Sequence, residues 1–213
     1  MPQAVRRFYL IAAVVFAWFS LALQFYLSVQ TSTSVGLNET QAVIRFLSFF
    51  TVTTNIIVAV LLTLALLRFP AQSPRPPAIS AGTAYIIVVG VTYFFLLRKT
   101  WNPQGAQLFA DIALHYIMPI ATVIYWFAFV PKGELRWRDM GWWLIYPIAY
   151  LAFTLVQGPR VGWYPYPFID VNAHGYAQIA INGAALFVFF AVVSATLIGI
   201  DRMMARPAAP QAV

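Results

Sequence analysis

The chain has 213 residues, of which 62% are apolar and only 9% are charged, well below the roughly 25% charged of a soluble domain. That composition excludes a water-soluble globular protein and describes an integral membrane protein with room for one helical bundle. The formal net charge of +7 does not point to nucleic acid, because Lys and Arg stand singly or in pairs at the edges of apolar runs and form no basic face. There is no cysteine, which excludes disulfides, thiolate metal sites and cysteine nucleophiles.

Six apolar runs are long enough to cross a hydrocarbon core of about 30 Å. They are Phe8 to Val29, Gln41 to Leu67, Ile79 to Leu97, Gln107 to Val130, Met140 to Val156 and Tyr176 to Ile200. The expected fold class is all-α, a six-transmembrane-helix bundle forming a single domain over residues 1–203, with an Ala/Pro tail at 204–213 expected to be disordered. Pro and Gly clusters punctuate the runs at Pro70 to Pro77, Pro103 to Gly105, Pro131 to Gly133 and Gly158 to Pro167. Arg6 and Arg7 precede the first run as in a signal peptide, but no small-x-small cleavage site follows, so it reads as a retained helix.

Nine of the Lys and Arg residues fall on the side of the N-terminus and four on the other, which predicts both termini in the cytoplasm. Trp101, Trp126, Trp137, Trp142, Trp143, Trp163, Tyr164 and Tyr166 fit interfacial aromatic belts.

The second run carries Ser48, Thr51, Thr53, Thr54 and Asn55. Ser48, Thr51 and Asn55 recur at helical spacing and share a face. Such groups commonly glue helices together, at about 1 kcal/mol each. The fourth run carries His115, with Asp111 one turn before it. Titratable groups at that depth face a protein interior or a wet cavity. The second and fourth runs cross in the same direction, and Thr51 and His115 are expected at matching depth, roughly 15 Å in, near mid-membrane.

A hydroxyl beside an imidazole is the minimum arrangement for nucleophilic acyl transfer. Asp111 is placed to orient the ring, and Asn55 to supply an oxyanion donor. A solvated Asp111 at the interface and a histidine satisfied by its neighbours are the structural alternatives. Gln24, Gln157 and Asn182 read as interhelical glue, and Pro119 and Pro147 as kinks that free carbonyls. The loop before the sixth run, Trp163 to Phe168, either caps a cavity or rests on headgroups. No nucleophile elbow, zinc motif, phosphate loop or dinucleotide fingerprint occurs, and no metal or cofactor is expected.

Three segments carry a resemblance: Phe49-Phe50-Thr51, Leu114-His115-Tyr116-Ile117-Met118-Pro119 and Gly162-Trp163-Tyr164-Pro165-Tyr166-Pro167-Phe168. In these the chain resembles the androgen-induced, androgen-dependent family of polytopic membrane proteins, whose animal members are threonine hydrolases of fatty acid esters of hydroxy fatty acids. The resemblance implies a threonine nucleophile and a histidine base, which fall on Thr51 and His115. A gapless pairing from Arg45-Phe46-Leu47 puts Ser48 at the nucleophile position instead. Tyr166 and Phe168 match the family's Tyr-Pro-Phe segment, implying a structural or lid role beside a lipid substrate. The chain looks more like the compact bacterial-type relatives, which implies a bacterial plasma membrane.

The expected function is therefore intramembrane hydrolysis of a lipid ester. The alternative is a non-enzymatic membrane protein, a small-molecule or proton transporter or a lipid-binding scaffold.

Overall fold

The computed structural model describes residues 3–69 and 75–205. Most of the expected tail, together with Pro70 and Pro74 of the second break, lies outside these residues. The described residues form helices and no strand: α1 (Gln3–Ser34), α2 (Glu39–Leu47), α3 (Phe50–Leu67), α4 (Pro76–Thr92), α5 (Gly105–Ile112), α6 (Met118–Phe129), α7 (Trp137–Trp143), α8 (Ile145–Val161) and α9 (Val171–Met203). A π turn, Tyr93–Leu97, ends α4, and another, Ala113–Ile117, joins α5 to α6. Six segments are long and apolar enough to cross a membrane: Gln3–Ser34, Phe50–Leu67, Pro76–Leu97, Gly105–Phe129, Trp137–Val161 and Val171–Met203. The chain is an integral membrane protein built as a helical bundle, and large apolar side chains such as Phe8, Phe95 and Leu67 cover its outer surface where lipid tails would lie.

The second run is not one helix. α2 ends at Ser48, whose hydroxyl donates back to the Ile44 carbonyl at 2.7 Å, a bond that competes with helix continuation. Phe49 is extended (φ −83°, ψ 125°) and α3 starts afresh at Phe50. The main-chain groups this break frees have little water to turn to and need protein partners. Tyr150 bridges the gap, its hydroxyl donating to the Ser48 carbonyl at 2.7 Å and accepting the Phe50 N–H at 3.2 Å. The break corrects the expected continuous face, for Ser48 no longer shares one with Thr51 and Asn55. Asn38 is the α2 N-cap, in a reciprocal capping box with Gln41.

Proline positions also differ from expectation. Pro76 and Pro77 open α4, where a missing N–H is harmless. Pro147 stands in the first turn of α8 and causes no kink; the irregularity of the fifth span lies at Leu144, before it. Gly158 and Pro159 lie inside α8, which continues to Val161 and ends on Gly162 in the left-handed conformation (φ 65°). Within α9 the left-handed Gly175 (φ 72°) makes a kink, so the regular helix begins at Tyr176, where the sixth apolar run also begins.

The third span is the most enclosed, 56% buried against 17% for the fifth, and forms the hub of the bundle. Trp126 and Trp143 are buried rather than interfacial, and the Trp126 indole donates to Ser80 Oγ at 2.7 Å. Tyr164 and Tyr166 are buried too, so the loop before α9 folds into the bundle. Tyr164 packs its ring directly onto Gly158, where a Cβ has no room. Asn182 ties the same loop down by donating to the Phe168 carbonyl at 2.7 Å.

Candidate active site

His115 sits in the π turn Ala113–Ile117, and the turn follows from Pro119. Proline has no N–H, so the carbonyls that would reach it are left without a helical partner. The chain widens into i+5 bonding, Met118 N–H reaching the Ala113 carbonyl. The Leu114 carbonyl, whose i+5 partner would be Pro119, accepts instead from Asn55 Nδ2 at 3.3 Å. The other Asn55 amide contact goes to the Thr51 carbonyl at 2.8 Å. One Asn55 contact thus stays within α3 and the other joins the second span to the fourth, so the amide donor is engaged by main-chain carbonyls and Asn55 holds a positioning role rather than the expected oxyanion donor's. The α4 backbone approaches at Gly90, where an added Cβ would lie 3.2 Å from the His115 carbonyl oxygen and 3.3 Å from Pro119 Cβ.

The ring of His115 is fixed on two sides. Its Nδ1 lies 3.0 Å from the Asp111 main-chain oxygen and 3.0 Å from Asp111 Oδ1. The carbonyl has the hydrogen-bond geometry, whereas Oδ1 lies within ion-pair range without it. A carbonyl only accepts, so Nδ1 carries a proton, and in the neutral ring it is Nε2 that holds the lone pair. Tyr93 stacks on the imidazole with centroids 3.8 Å apart at 14°, and its hydroxyl donates to Asp111 Oδ2 at 2.5 Å. Trp101 Nε1 in turn donates to Tyr93 at 3.2 Å. Asp111 is only 4% exposed. It is a buried, hydrogen-bonded carboxylate rather than a solvated interfacial one.

Thr51 stands in the first turn of α3, 7% exposed. Its N–H donates to the Tyr166 hydroxyl at 3.1 Å, and its Oγ1 lies 3.3 Å from the same oxygen. Thr53 and Thr54 are engaged by the Tyr146 hydroxyl at 2.7 and 3.2 Å and act as glue. Phe168 stacks on Tyr166 with centroids 5.3 Å apart and planes nearly parallel at 3°. Burial is the largest influence on the Tyr166 phenol and pushes it up to about 12, so at neutral pH it is an intact O–H donor.

Thr51, Asp111, His115 and Tyr166 line one cavity of about 330 Å³, together with the polar side chains Gln24, Ser28, Arg45 and Gln107. Gln107 donates to Gln24 at 2.9 Å and Gln24 to Ser28 at 3.0 Å. No hydrogen bond joins Thr51 to His115; they are two walls of a shared space. Ser48 and Gln157 line a different cavity, and neither Ser48 nor Asn55 reaches this one.

Thr51 lies about 24 Å and His115 about 21 Å from the far ends of their spans at 1.5 Å per residue. The two match, and both lie towards the end of the bundle carrying the loop before α9.

Tyr93, Tyr150 and Gly90 were not singled out by the sequence, and Trp101 only as a belt residue. Aromatic residues at a span end carry a belt signal that masks a site role, and Gly90 lacks any local signal. Among the described residues no three His, Asp or Glu side chains group as a metal site. Fold and cavity together define a polytopic membrane protein with a buried His-Asp pair and a helix break at one end of its bundle. The chain matches no protein-family model, no curated protein and no solved structure.

Proposed function

We propose that the protein is an intramembrane lipid ester hydrolase with Thr51 as nucleophile and His115 as base. The observation that carries this reading is the shared cavity: a hydroxyl at a helix break and an imidazole with its Nδ1 proton engaged line one space. Thr51 Oγ attacks the ester carbonyl carbon as His115 Nε2 takes the hydroxyl proton, giving a tetrahedral oxyanion and an imidazolium. Asp111 Oδ1, within ion-pair range, stabilises that imidazolium. Tyr166, whose oxygen already accepts the Thr51 N–H, turns its own proton to the oxyanion. The C–O bond to the alcohol breaks, His115 returns the proton to the leaving alkoxide, and acyl threonine remains. Water then attacks, His115 again takes a proton, and the free acid leaves with Thr51 restored. No step calls for a cofactor. The resemblance noted above supports the reaction class and a bacterial plasma membrane as its location.

A fluorophosphonate probe on the full chain in detergent tests this reading. Labelling is expected in the wild type and Ser48→Ala and absent in Thr51→Ala and His115→Ala. Labelling indifferent to Thr51 and His115, or no labelling and no hydrolysis of any lipid ester, overturns it and leaves a transporter or lipid-binding scaffold.

A further inference from the structure

Arg160 stands in the last turn of α8, where the fifth span ends at Val161, and this sets it at the membrane interface. It lines a cavity of about 400 Å³ between α2 and α8, at the end of the bundle that carries the loop before α9. This space is separate from the one that holds His115. Arg45 stands between the two and lines both, whereas Arg160, Gln157 and Gln41 line only the one between α2 and α8.

No Asp or Glu lines this cavity, and among the described residues the one ion pair is Asp111 with His115. Two guanidiniums therefore share a space without an acid, an arrangement that an entering anion relieves. The Arg45 guanidinium lies 4.4 Å from the centroid of the Trp163 ring, which covers its flat face and leaves its in-plane N–H groups for an oxyanion. Gln41 Oε1 accepts the Asn38 N–H at 3.0 Å, so the donor end of that amide is left over. The Ser48 and Thr154 hydroxyls already donate to the Ile44 and Tyr150 carbonyls. What the cavity offers a ligand is thus guanidinium and amide N–H. Beside these donors, Ile44, Phe153 and Val161 line the same cavity and are exposed, which on a bundle in a bilayer means exposed to lipid. A free phosphate would leave that apolar side unused, and the ammonium of a zwitterionic headgroup would find no carboxylate.

We propose that the cavity between α2 and α8 binds one anionic phospholipid of the adjoining leaflet, its phosphate held between Arg45 and Arg160 and its headgroup otherwise uncharged. The acyl chains run down past Ile44 and Phe153. Such a lipid bridges the helix break after Ser48, for Arg45 belongs to α2 and Arg160 to the helix whose Tyr150 spans that break. It holds α2 against α8 and stabilises the fold by mass action. The proposal does not depend on the ester-hydrolase reading.

Native mass spectrometry of the full chain in detergent tests it, with dioleoyl phosphatidylglycerol, dioleoyl phosphatidylcholine and inorganic phosphate as probes. Wild type is expected to retain a single phosphatidylglycerol about tenfold more tightly than phosphatidylcholine, to keep it in millimolar phosphate, and to melt at a higher temperature with it than without. Arg160→Gln and Arg45→Gln should each remove most of that preference, and Arg160→Lys should restore part of it. Arg68→Gln, which takes the same charge from the opposite end of the bundle, should leave it intact. Arg160 is exposed, so its variants are expected to fold, and an unchanged lipid-free melting temperature checks that they do. Four outcomes overturn the proposal: equal retention of the two lipids, a preference that survives Arg160→Gln, an equal loss in Arg68→Gln, or displacement of the lipid by phosphate, which would mark a small-anion site. Thr51→Ala should hold the lipid as wild type does, which keeps this result distinct from any result on ester hydrolysis.

Discussion

At the scale of single residues, the site depends on how few side chains hold the imidazole. The Nδ1 proton of His115 goes to a main-chain carbonyl that no substitution removes, so the tautomer does not depend on the Asp111 carboxylate. Asp111→Asn is therefore expected to lower kcat by well under the roughly 10⁴-fold seen where a carboxylate alone sets the tautomer, as steady-state hydrolysis of a lipid ester would measure. Tyr166→Phe removes the proposed oxyanion donor and should cost about 10²-fold in kcat with KM little changed. The same phenol sets a pH dependence. Its value rises from 10.0 to about 12 in the folded chain, so it favours folding below pH 10 and that contribution is lost as pH rises through about 12. Phenolate absorbance followed through that window should lose one late-titrating tyrosine in Tyr166→Phe relative to the wild type. The role of Asn55 was visible in the sequence as a polar residue on the face of Thr51. What it does was not, because the carbonyl it serves is orphaned by Pro119, 64 positions away in the chain.

At the scale of elements, two irregular helices make the site: the break at Phe49 and the π turn at His115. Pro119→Ala restores an N–H, lets the turn relax to α geometry and swings His115 about its helix axis. The expected result is a folded protein without activity, checked by thermal melting beside turnover. Gly90→Ala presses a methyl group on the His115 carbonyl and Pro119, neither of which has a flexible end to yield. Overpacking of this kind costs about 1–3 kcal/mol, and the displacement should reduce kcat more than the melting temperature suggests. The six apolar runs forecast the spans well, since a length of uninterrupted hydrophobic sequence is a property the bilayer reads directly. The break at Ser48 and Phe49 escaped detection because neither is a helix breaker. It is held open by Tyr150 and Tyr166, which come from the other end of the chain.

At the scale of the whole molecule, the cavity shared by Thr51 and His115 lies at the end of the bundle that carries the loop before α9, and that loop closes the site with Tyr166. The imbalance of Lys and Arg predicts this end outside the cytoplasm. Because the chain has no cysteine, single cysteines can report topology without background. Substitutions at Arg7 and Met203 should react with a membrane-impermeant maleimide only in inside-out vesicles, and one at Gln104 only in right-side-out ones; the opposite pattern would invert the orientation. The sequence alone determined that this is a membrane protein with six segments long and apolar enough to cross a bilayer, because the cost of burying polar groups in hydrocarbon acts residue by residue along the chain. It also marked His115, Asp111 and Thr51, since polar groups within such spans are few. Tertiary structure decided which hydroxyl shares a cavity with the imidazole. Thr51 does and Ser48 does not, because the helix turns away between them at a break that only packing against α8 and the loop before α9 sustains.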